Sequence, residues 1–370
     1  MPHFNIYQEY YMSIFNNGVA KEDILEALKQ IVDPDLKKDV VTLGMIRDLD
    51  IRDGRVSFRF VLTTPACPVK DRFEGEARQI VSGLKGVKSV DIKMDSEVPR
   101  QKSVPERKAV EGVANIVAVT SGKGGVGKST VAVNLACALA REGAKVGLID
   151  CDIYGPNVPI MMGNNDQLKG RGDMIIPLES HGVKFMSMGL LARDDTPLVW
   201  RGPMLHNVLQ QMLYQVEWGK LDYLIADLPP GTGDVQITMT QSVPLSGGII
   251  VTTPQDVALS DARKGVVMLQ QVNVDVLGII ENMSYFVCPA CGERSEIFDH
   301  GGGEATSREF NVPFLGGIPL ETGIRKCGDR GIPLVVEDPD SPAAVAFAEI
   351  ARTLAAEVSK TNLQVLDSRD

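Results

Sequence analysis

One run of residues, Gly122-Lys123-Gly124-Gly125-Val126-Gly127-Lys128-Ser129-Thr130, constrains this chain more than any other feature. It follows an apolar β-rich stretch, Ile116 to Thr120, and precedes an apolar stretch with helical spacing, Val131 to Ala140. A strand, a glycine turn and a helix start together make a phosphate cradle. The glycines let backbone N–H groups converge on an anion without Cβ clashes, and the helix N-terminus adds its positive end. In such a cradle Lys128 reaches the β- and γ-phosphates, and the Ser129 hydroxyl serves Mg²⁺. Nucleotide binding by Gly122 to Thr130 is therefore the first expectation.

The pattern downstream agrees with that cradle. Apolar, strand-like runs lie at Ile116–Thr120, Val146–Asp150, Val183–Ser187, Tyr223–Asp227, Gly248–Thr252, Val276–Glu281 and Pro313–Ile318. Helical patterns intervene at Thr130–Glu142, Met204–Gln215, Val235–Ser242, Ser260–Val272, Glu304–Phe310 and Pro342–Glu357. Near-continuous apolar strands alternating with helices predict a doubly wound, mostly parallel sheet covered on both faces, with ligands at the carboxyl ends of the strands. A smaller α/β unit precedes it. Ile24, Leu25, Leu28, Ile31 and Val32 recur at helical spacing, and Asp53-Gly54 joins two strands, Met45–Ile51 and Val56–Leu62. A polar helix over Val69–Leu84 and a strand over Val87–Ile92 complete it. The organisation expected is an extension over 1–19, a small domain over 20–95, a charged, proline-punctuated linker over 96–113, a P-loop domain over 114–362 and a tail over 363–370.

Composition narrows the function classes. The chain has 370 residues and a net charge of −10, so no global field draws it to nucleic acid. No apolar run approaches the ~20 residues that span a bilayer. Only six cysteines occur, too few for a secreted disulfide framework, and the first 18 residues lack the features of a signal peptide. A reducing cytoplasm, with neither nucleic acid nor membrane as partner, is the expected setting.

Three acids fall at strand ends where catalysis would sit. Asp150 and Asp152 follow one strand and Asp227 ends another, all expected on the rim near Lys128. A carboxylate there is costly without a cation, which makes Mg²⁺ and its waters natural partners for Asp227. Asp152, ahead of the loop Ile153-Tyr154-Gly155-Pro156-Asn157, is placed to orient an attacking water; Asp150 serves either chemistry or a turn. The segment Leu228-Pro229-Pro230-Gly231-Thr232-Gly233-Asp234 pairs stiff prolines with glycines that allow close approach to a γ-phosphate, the makings of a nucleotide-state switch.

Cys288-Pro289-Ala290-Cys291-Gly292 is the second informative motif. Two thiolates on one tight turn grip a metal, but a four-thiolate site needs two more sulfurs, and this chain has no second Cys-x-x-Cys. A second copy of the chain, across a two-fold axis, supplies them in one reading. On these residues alone an iron–sulfur half-site, a zinc half-site, a redox dithiol and an inert turn all stay open. Cys67, before a helix in a proline-flanked turn, is either a thiol with a lowered pKa or a small buried residue. Cys137 and Cys151 fit core packing, and Cys327 has no assignment.

The loop Lys123-Gly124-Gly125-Val126-Gly127-Lys128 resembles the deviant Walker A loop of the ParA/MinD/NifH superfamily. Over about Asn115 to Leu334 the chain resembles the Mrp/ApbC family of iron–sulfur cluster carrier ATPases. The motifs that carry this are Asp150 to Asn157, Trp200-Arg201-Gly202-Pro203-Met204, Asp227 to Asp234, Thr253-Pro254-Gln255-Asp256 and Glu281-Asn282-Met283-Ser284 leading to the cysteine pair. The first unit is similar to the small iron–sulfur-assembly domain often fused ahead of that ATPase, through Asp33-Pro34-Asp35, Leu43-Gly44 and Thr63 to Pro68. The resemblance implies an ATP-dependent sandwich homodimer in which Lys123 acts across the interface, and Lys123 thereby joins Lys128, Asp152 and Asp227, read above from the residues, in the expected catalytic set. It implies that Asn282 contacts adenine and that Cys288 and Cys291 of two subunits hold a [4Fe–4S] cluster. That cluster is destined for apo iron–sulfur proteins, alongside other assembly factors, with slow ATP hydrolysis coupled to transfer. Two rivals remain: a positioning or partitioning ATPase that cycles on membrane or DNA, and a zinc-stabilised regulatory NTPase. The first needs a basic tail or patch, whereas Pro342–Glu357 carries Phe347, Ile350, Ala351 and Leu354 on one face and few basic residues.

Overall fold

The computed structural model describes residues 19–101, 107–153, 155–191, 202–231 and 233–367. The Trp200-Arg201 part of one motif, Tyr154 and Thr232 lie outside the described residues. The chain forms two units, residues 1–98 and 99–370.

In the first unit, helix α1 (Lys21–Leu28) is followed by β1 (Ile46–Arg52), β2 (Arg55–Leu62), α2 (Lys70–Ser82) and β3 (Ser89–Ser96). β1 and β2 form an antiparallel hairpin, and β3 lies parallel to β2. Asp53 and Gly54 both take positive φ, 50° and 80°, the requirement of a two-residue turn that matches strand twist. The helical residues Ile24 and Leu28 meet Phe60 and Phe73 in one core, with the two rings stacked at 5.6 Å. β3 lies two residues later than the expected strand at its start and four later at its end, through Ser96. Its polar alternation, with only Ile92 buried, hides its length from an apolar count.

The second unit opens with β4 (Val113–Thr120), α3 (Lys128–Arg141), β5 (Val146–Asp150), α4 (Val158–Met161), β6 (Lys169–Arg171) and β7 (Met174–Ile176). β8 (Leu178–Ser180), β9 (Val183–Ser187), α5 (Met188–Leu191), α6 (Gly202–Tyr214), β10 (Leu221–Asp227) and α7 (Asp234–Ser242) follow. Then come β11 (Gly247–Thr252), α8 (Asp256–Gln271), β12 (Val276–Asn282), β13 (Phe286–Val287), β14 (Arg294–Ser295), α9 (Gly302–Phe310) and β15 (Phe314–Ile318). Helices α10 (Thr322–Arg330), α11 (Leu334–Glu337) and α12 (Pro342–Asp367) close the chain.

Eight strands form the main sheet in the order β15-β12-β11-β4-β10-β5-β9-β8. All neighbours are parallel except β8, which pairs antiparallel at one edge. The seven strands expected from apolar runs are all present. β4 lies in the interior, and the chain leaves it toward β5 on one side while β11, β12 and β15 build the other. That reversal opens a crevice at the carboxyl end of β4, where the glycine run begins. β4 is buried along nearly its whole length, as are β5, β10 and β11, because helices cover both faces. α3 is likewise buried on most sides, including Val131 to Leu139, and packs beneath α12. Short α4, α10 and α11 lack an apolar repeat long enough to read from sequence. Among the described residues, no helix is long and apolar enough to cross a membrane.

Phe347 on α12 is fully buried. Phe347→Ala is expected to lower unfolding free energy by about 3–5 kcal/mol through lost transfer energy and a cavity, read as a fall in the urea midpoint.

Candidate functional site

The glycine run crosses from β4 to α3 as a close-fitting backbone loop. Gly127 caps α3 with φ 84°, and a Cβ there would lie 2.3 Å from Asn282 Nδ2. A Cβ on Gly122 would meet the backbone carbonyl oxygen of Asp261 on α8 at 2.3 Å. Glycine is therefore demanded at these two positions by conformation and by approach. Asn282, at the end of β12, donates from Nδ2 to the Val126 carbonyl at 2.8 Å and so fixes the loop from the side. Gly124 and Gly125 are exposed at the crest, and Lys123, half-buried beside them, receives Ser121 Oγ at its carbonyl at 3.0 Å.

Lys128 is buried at the first turn of α3. Its Nζ donates to Asp227 Oδ1 at 2.6 Å and to Ser129 Oγ at 3.2 Å, and lies 4.0 Å from Asp152 Oδ2. Asp227 is fully buried, and its Oδ2 has no hydrogen-bond partner in the protein. Burial pushes its carboxyl above the usual range, against the opposing pull of Lys128. A second acid sits behind it. Asp150 takes hydrogen bonds from Ser187 Oγ at 2.8 Å, Asp152 N at 3.1 Å and Val158 N at 3.4 Å. Burial, then the Asp227 charge, push Asp150 up to about 7. Sequence placed all three acids on the rim, but Asp150 is 0% exposed and braces the turn after β5. Asp152 is the acid that reaches the opening, lining a cavity of about 290 Å³ with Lys123, Ser129 and Pro230.

The free Asp227 Oδ2 and the Ser129 hydroxyl, both beside Lys128, form a hard oxygen donor set that fits Mg²⁺. The segment after Asp227 is held from two sides: Gly231 N donates to the Ser121 carbonyl at 2.8 Å, while Gln236 Nε2 donates to the carbonyls of Pro229 and Gly231 at 2.5 and 3.0 Å. A mostly apolar cavity of about 410 Å³ adjoins the phosphate loop, and Gly127, Thr130, Asn157 and Met161 line both spaces. Its far wall, Pro319, Leu320 and Ile324, comes from the chain after β15 and from α10. Gly127, Thr130 and Asn282, all expected at a nucleotide site from sequence, line this cavity, whereas the far wall is not expected because Thr322–Arg330 carries no apolar repeat; Pro319 after a strand is the available signal.

The cysteine pair sits on the β13–β14 hairpin. Cys288 N donates to the Glu293 carbonyl at 2.9 Å, Gly292 N to the Cys288 carbonyl at 2.8 Å, and Gly292 turns with φ 75°. Cys288 is half-buried and Cys291 exposed. The N–H groups of Ala290 and Cys291, then the Cys291 thiol, hold the Cys288 thiol below its ordinary value. Among the described residues, no three His, Cys, Asp or Glu side chains gather to hold a metal, and the turn itself carries two sulfurs. The other thiols differ. Burial raises Cys137 to about 12 and lifts Cys151 well above 9.0. Cys67 departs from the lowered pKa entertained for it: burial first, then Asp33 and Asp35, push the thiol up, outweighing the bond from Val69. Cys327 is buried against Arg330.

The family model described as NUBPL iron-transfer P-loop NTPase matches residues 112–355. The chain belongs to that family. A second model, described as iron–sulfur cluster assembly protein, matches residues 21–93 of this P-loop NTPase. An iron–sulfur cluster carrier protein of Synechocystis is 53% identical over 351 residues, 93% of this chain and 99% of its own. A chloroplastic Fe–S cluster assembly factor of Oryza sativa, HCF101, is 42% identical over 94% of this chain and 66% of its own. A nucleotide-binding protein of Archaeoglobus fulgidus, solved in complex with ADP, superposes with TM-score 0.55 at 36% identity, over 63% of this chain and 91% of that one.

Asp150 links the site to pH. Its carboxyl, raised to about 7, holds a proton in the folded chain where the unfolded chain has released it. Stability of the nucleotide-free protein is therefore expected to fall as pH rises from the ordinary carboxylate range through about 7. Urea midpoints at pH 5.5 and 8 check this, and Asp150→Asn is expected to flatten the slope.

Proposed function

We propose that this P-loop NTPase is an ATP-dependent iron–sulfur cluster carrier, working as a homodimer whose two cysteine turns jointly hold a [4Fe–4S] cargo for apo-proteins. One observation carries the reading: an accessible two-thiol turn, one of them lowered in pKa, follows directly from the strand whose Asn282 closes the phosphate loop. Four thiolates complete a cluster, and the turn supplies half that number. The relatives' names, carriers and assembly factors of iron–sulfur clusters, point the same way.

ATP phosphates are read onto the backbone N–H groups of Gly122 to Thr130 and onto Lys128, which sits at the positive end of α3. The adenine is read into the 410 Å³ cavity against Asn282. Ser129 and Asp227 would hold Mg²⁺, which when bound neutralises charge on the phosphate oxygens. Asp152, at the cavity mouth, would orient the attacking water, and Lys123, in the same lining, would reach the nucleotide of the facing subunit. A point charge delivered there stabilises the developing phosphoryl anion. Slow hydrolysis then alters how closely two thiol turns converge, to which thiolate coordination is sensitive.

Anaerobic incubation with iron and sulfide tests the cargo. The wild-type protein is expected to gain charge-transfer absorbance with one cluster per two chains and to sediment as a dimer. Cys288→Ser abolishes the colour. A monomer, or a colourless protein retaining tight zinc, overturns the reading. Lys123→Ala is expected to bind ATP but to hydrolyse it about 10²–10³-fold more slowly, measured as phosphate release.

A further inference from the structure

β12 ends in two neighbouring polar residues that act in different directions. Asn282 reaches the phosphate loop at Val126. Glu281, fully buried, ties together both ends of the excursion that carries the cysteines. Its Oε1 accepts Ser284 Oγ at 2.6 Å and Gly301 N at 3.1 Å, and its Oε2 accepts Gly303 N at 2.6 Å. A Cβ on Gly303 would lie 3.1 Å from that Oε2, so the backbone is drawn tightly onto the carboxylate. All three partners are donors, which suits a group that only accepts.

The polarity continues outward. Ser284 Oγ donates to Glu281, and so receives the proton of His300 Nδ1 at 2.9 Å. Arg294 Nη2 rests against that ring, 2.9 Å from Nε2 and 3.4 Å from Nδ1. Arg294 lies on β14 opposite Val287, the residue before Cys288, and its guanidinium rests 3.9 Å over the Tyr285 ring. Two backbone bonds fasten the root of the hairpin beside the nucleotide cavity: Ser284 N to the Ile318 carbonyl at 2.9 Å and Leu320 N to the Tyr285 carbonyl at 2.6 Å. An unbroken run of polar contacts thus leads from the hairpin to the strand end that grips the phosphate loop.

We propose that Glu281, Ser284, His300 and Arg294 form a positioning relay that sets the Cys288–Cys291 turn against the end of β12, so that nucleotide at the phosphate loop is read at the thiols. The inference rests on the reading of that loop as an ATP site and deepens it by naming the connection. It does not require that the thiols carry a cluster. Glu281 touches neither nucleotide nor thiol and acts through the backbone it holds. In Glu281→Gln the amide nitrogen must face a donor whichever way it turns, leaving a buried N–H unpaired.

Alkylation of Cys288 and Cys291 by iodoacetamide, followed by mass spectrometry on the metal-free full chain, tests the relay, with buried Cys137 as internal reference. In wild type, a magnesium complex of a non-hydrolysable ATP analogue is expected to slow alkylation about fivefold or more. In Glu281→Gln the slowing disappears while affinity for the analogue is retained, a split that a merely structural role would not produce. A wild-type rate indifferent to nucleotide, or a Glu281→Gln protein with the full response, overturns the proposal. Should Glu281→Gln fail to fold, Ser284→Ala decides: it keeps both backbone donors on the carboxylate and cuts the chain to His300, so its response is expected to shrink, and a full response overturns the relay. Nucleotide-dependent slowing in a protein that takes up no cluster supports the relay and removes only the cargo.

Discussion

The buried contact between Lys128 and Asp227, 2.6 Å long and shielded from water on both sides, organises this molecule. Neither charge would tolerate that position alone, since breaking such a pair leaves an uncompensated buried ion worth about 3–5 kcal/mol. The contact joins the first turn of α3 to the last residue of β10. It therefore pins helix, glycine loop and sheet edge at the same point. Asp150, one strand further along the sheet at β5, feels the Asp227 charge and keeps its proton to nearly neutral pH. The site thus gathers Asp150, Asp152 and Asp227 about Lys128, with Lys123 at the mouth of the same cavity, and burial decides which of the acids keeps its proton.

The second organising element is the end of β12. On a strand, successive side chains point to opposite faces. Asn282 and Glu281 use that alternation to serve two different loops, the glycine run and the excursion that carries the thiols. The sheet gives these loops a common rigid origin. Val126 and Asn282, far apart in sequence, meet because only β11 lies between β4 and β12 in the parallel order.

Six cysteines divide by environment rather than by motif. Cys137 and Cys151 sit among apolar residues, where desolvation suppresses the thiolate, and the half-buried Cys67 lies near two carboxylates that oppose it further. Cys288 faces backbone N–H groups in an open turn, which stabilise the anion. The same residue type is inert in one place and primed in another, as desolvation and hydrogen bonding dictate.

Much of the architecture was legible in the chain. Parallel strands buried on both faces must be apolar throughout, so β4, β5, β9, β10, β11, β12 and β15 announce themselves, and the glycine run marks the carboxyl edge they share. The expectation that Lys128, Ser129 and Asp227 share one rim and that Cys288 and Cys291 share one turn rests on residue type and spacing, which are local. Tertiary structure decided the rest. It buried Asp150 and left Asp152 at the opening, although the two stand two residues apart after one strand. It brought α10 across to wall the cavity beside the phosphate loop, a placement without periodic signal because that helix buries little beyond Cys327. It also turned Glu281 inward to hold Ser284, Gly301 and Gly303. Which partner a buried polar group finds depends on how strands and loops distant in sequence converge, and no local pattern encodes that.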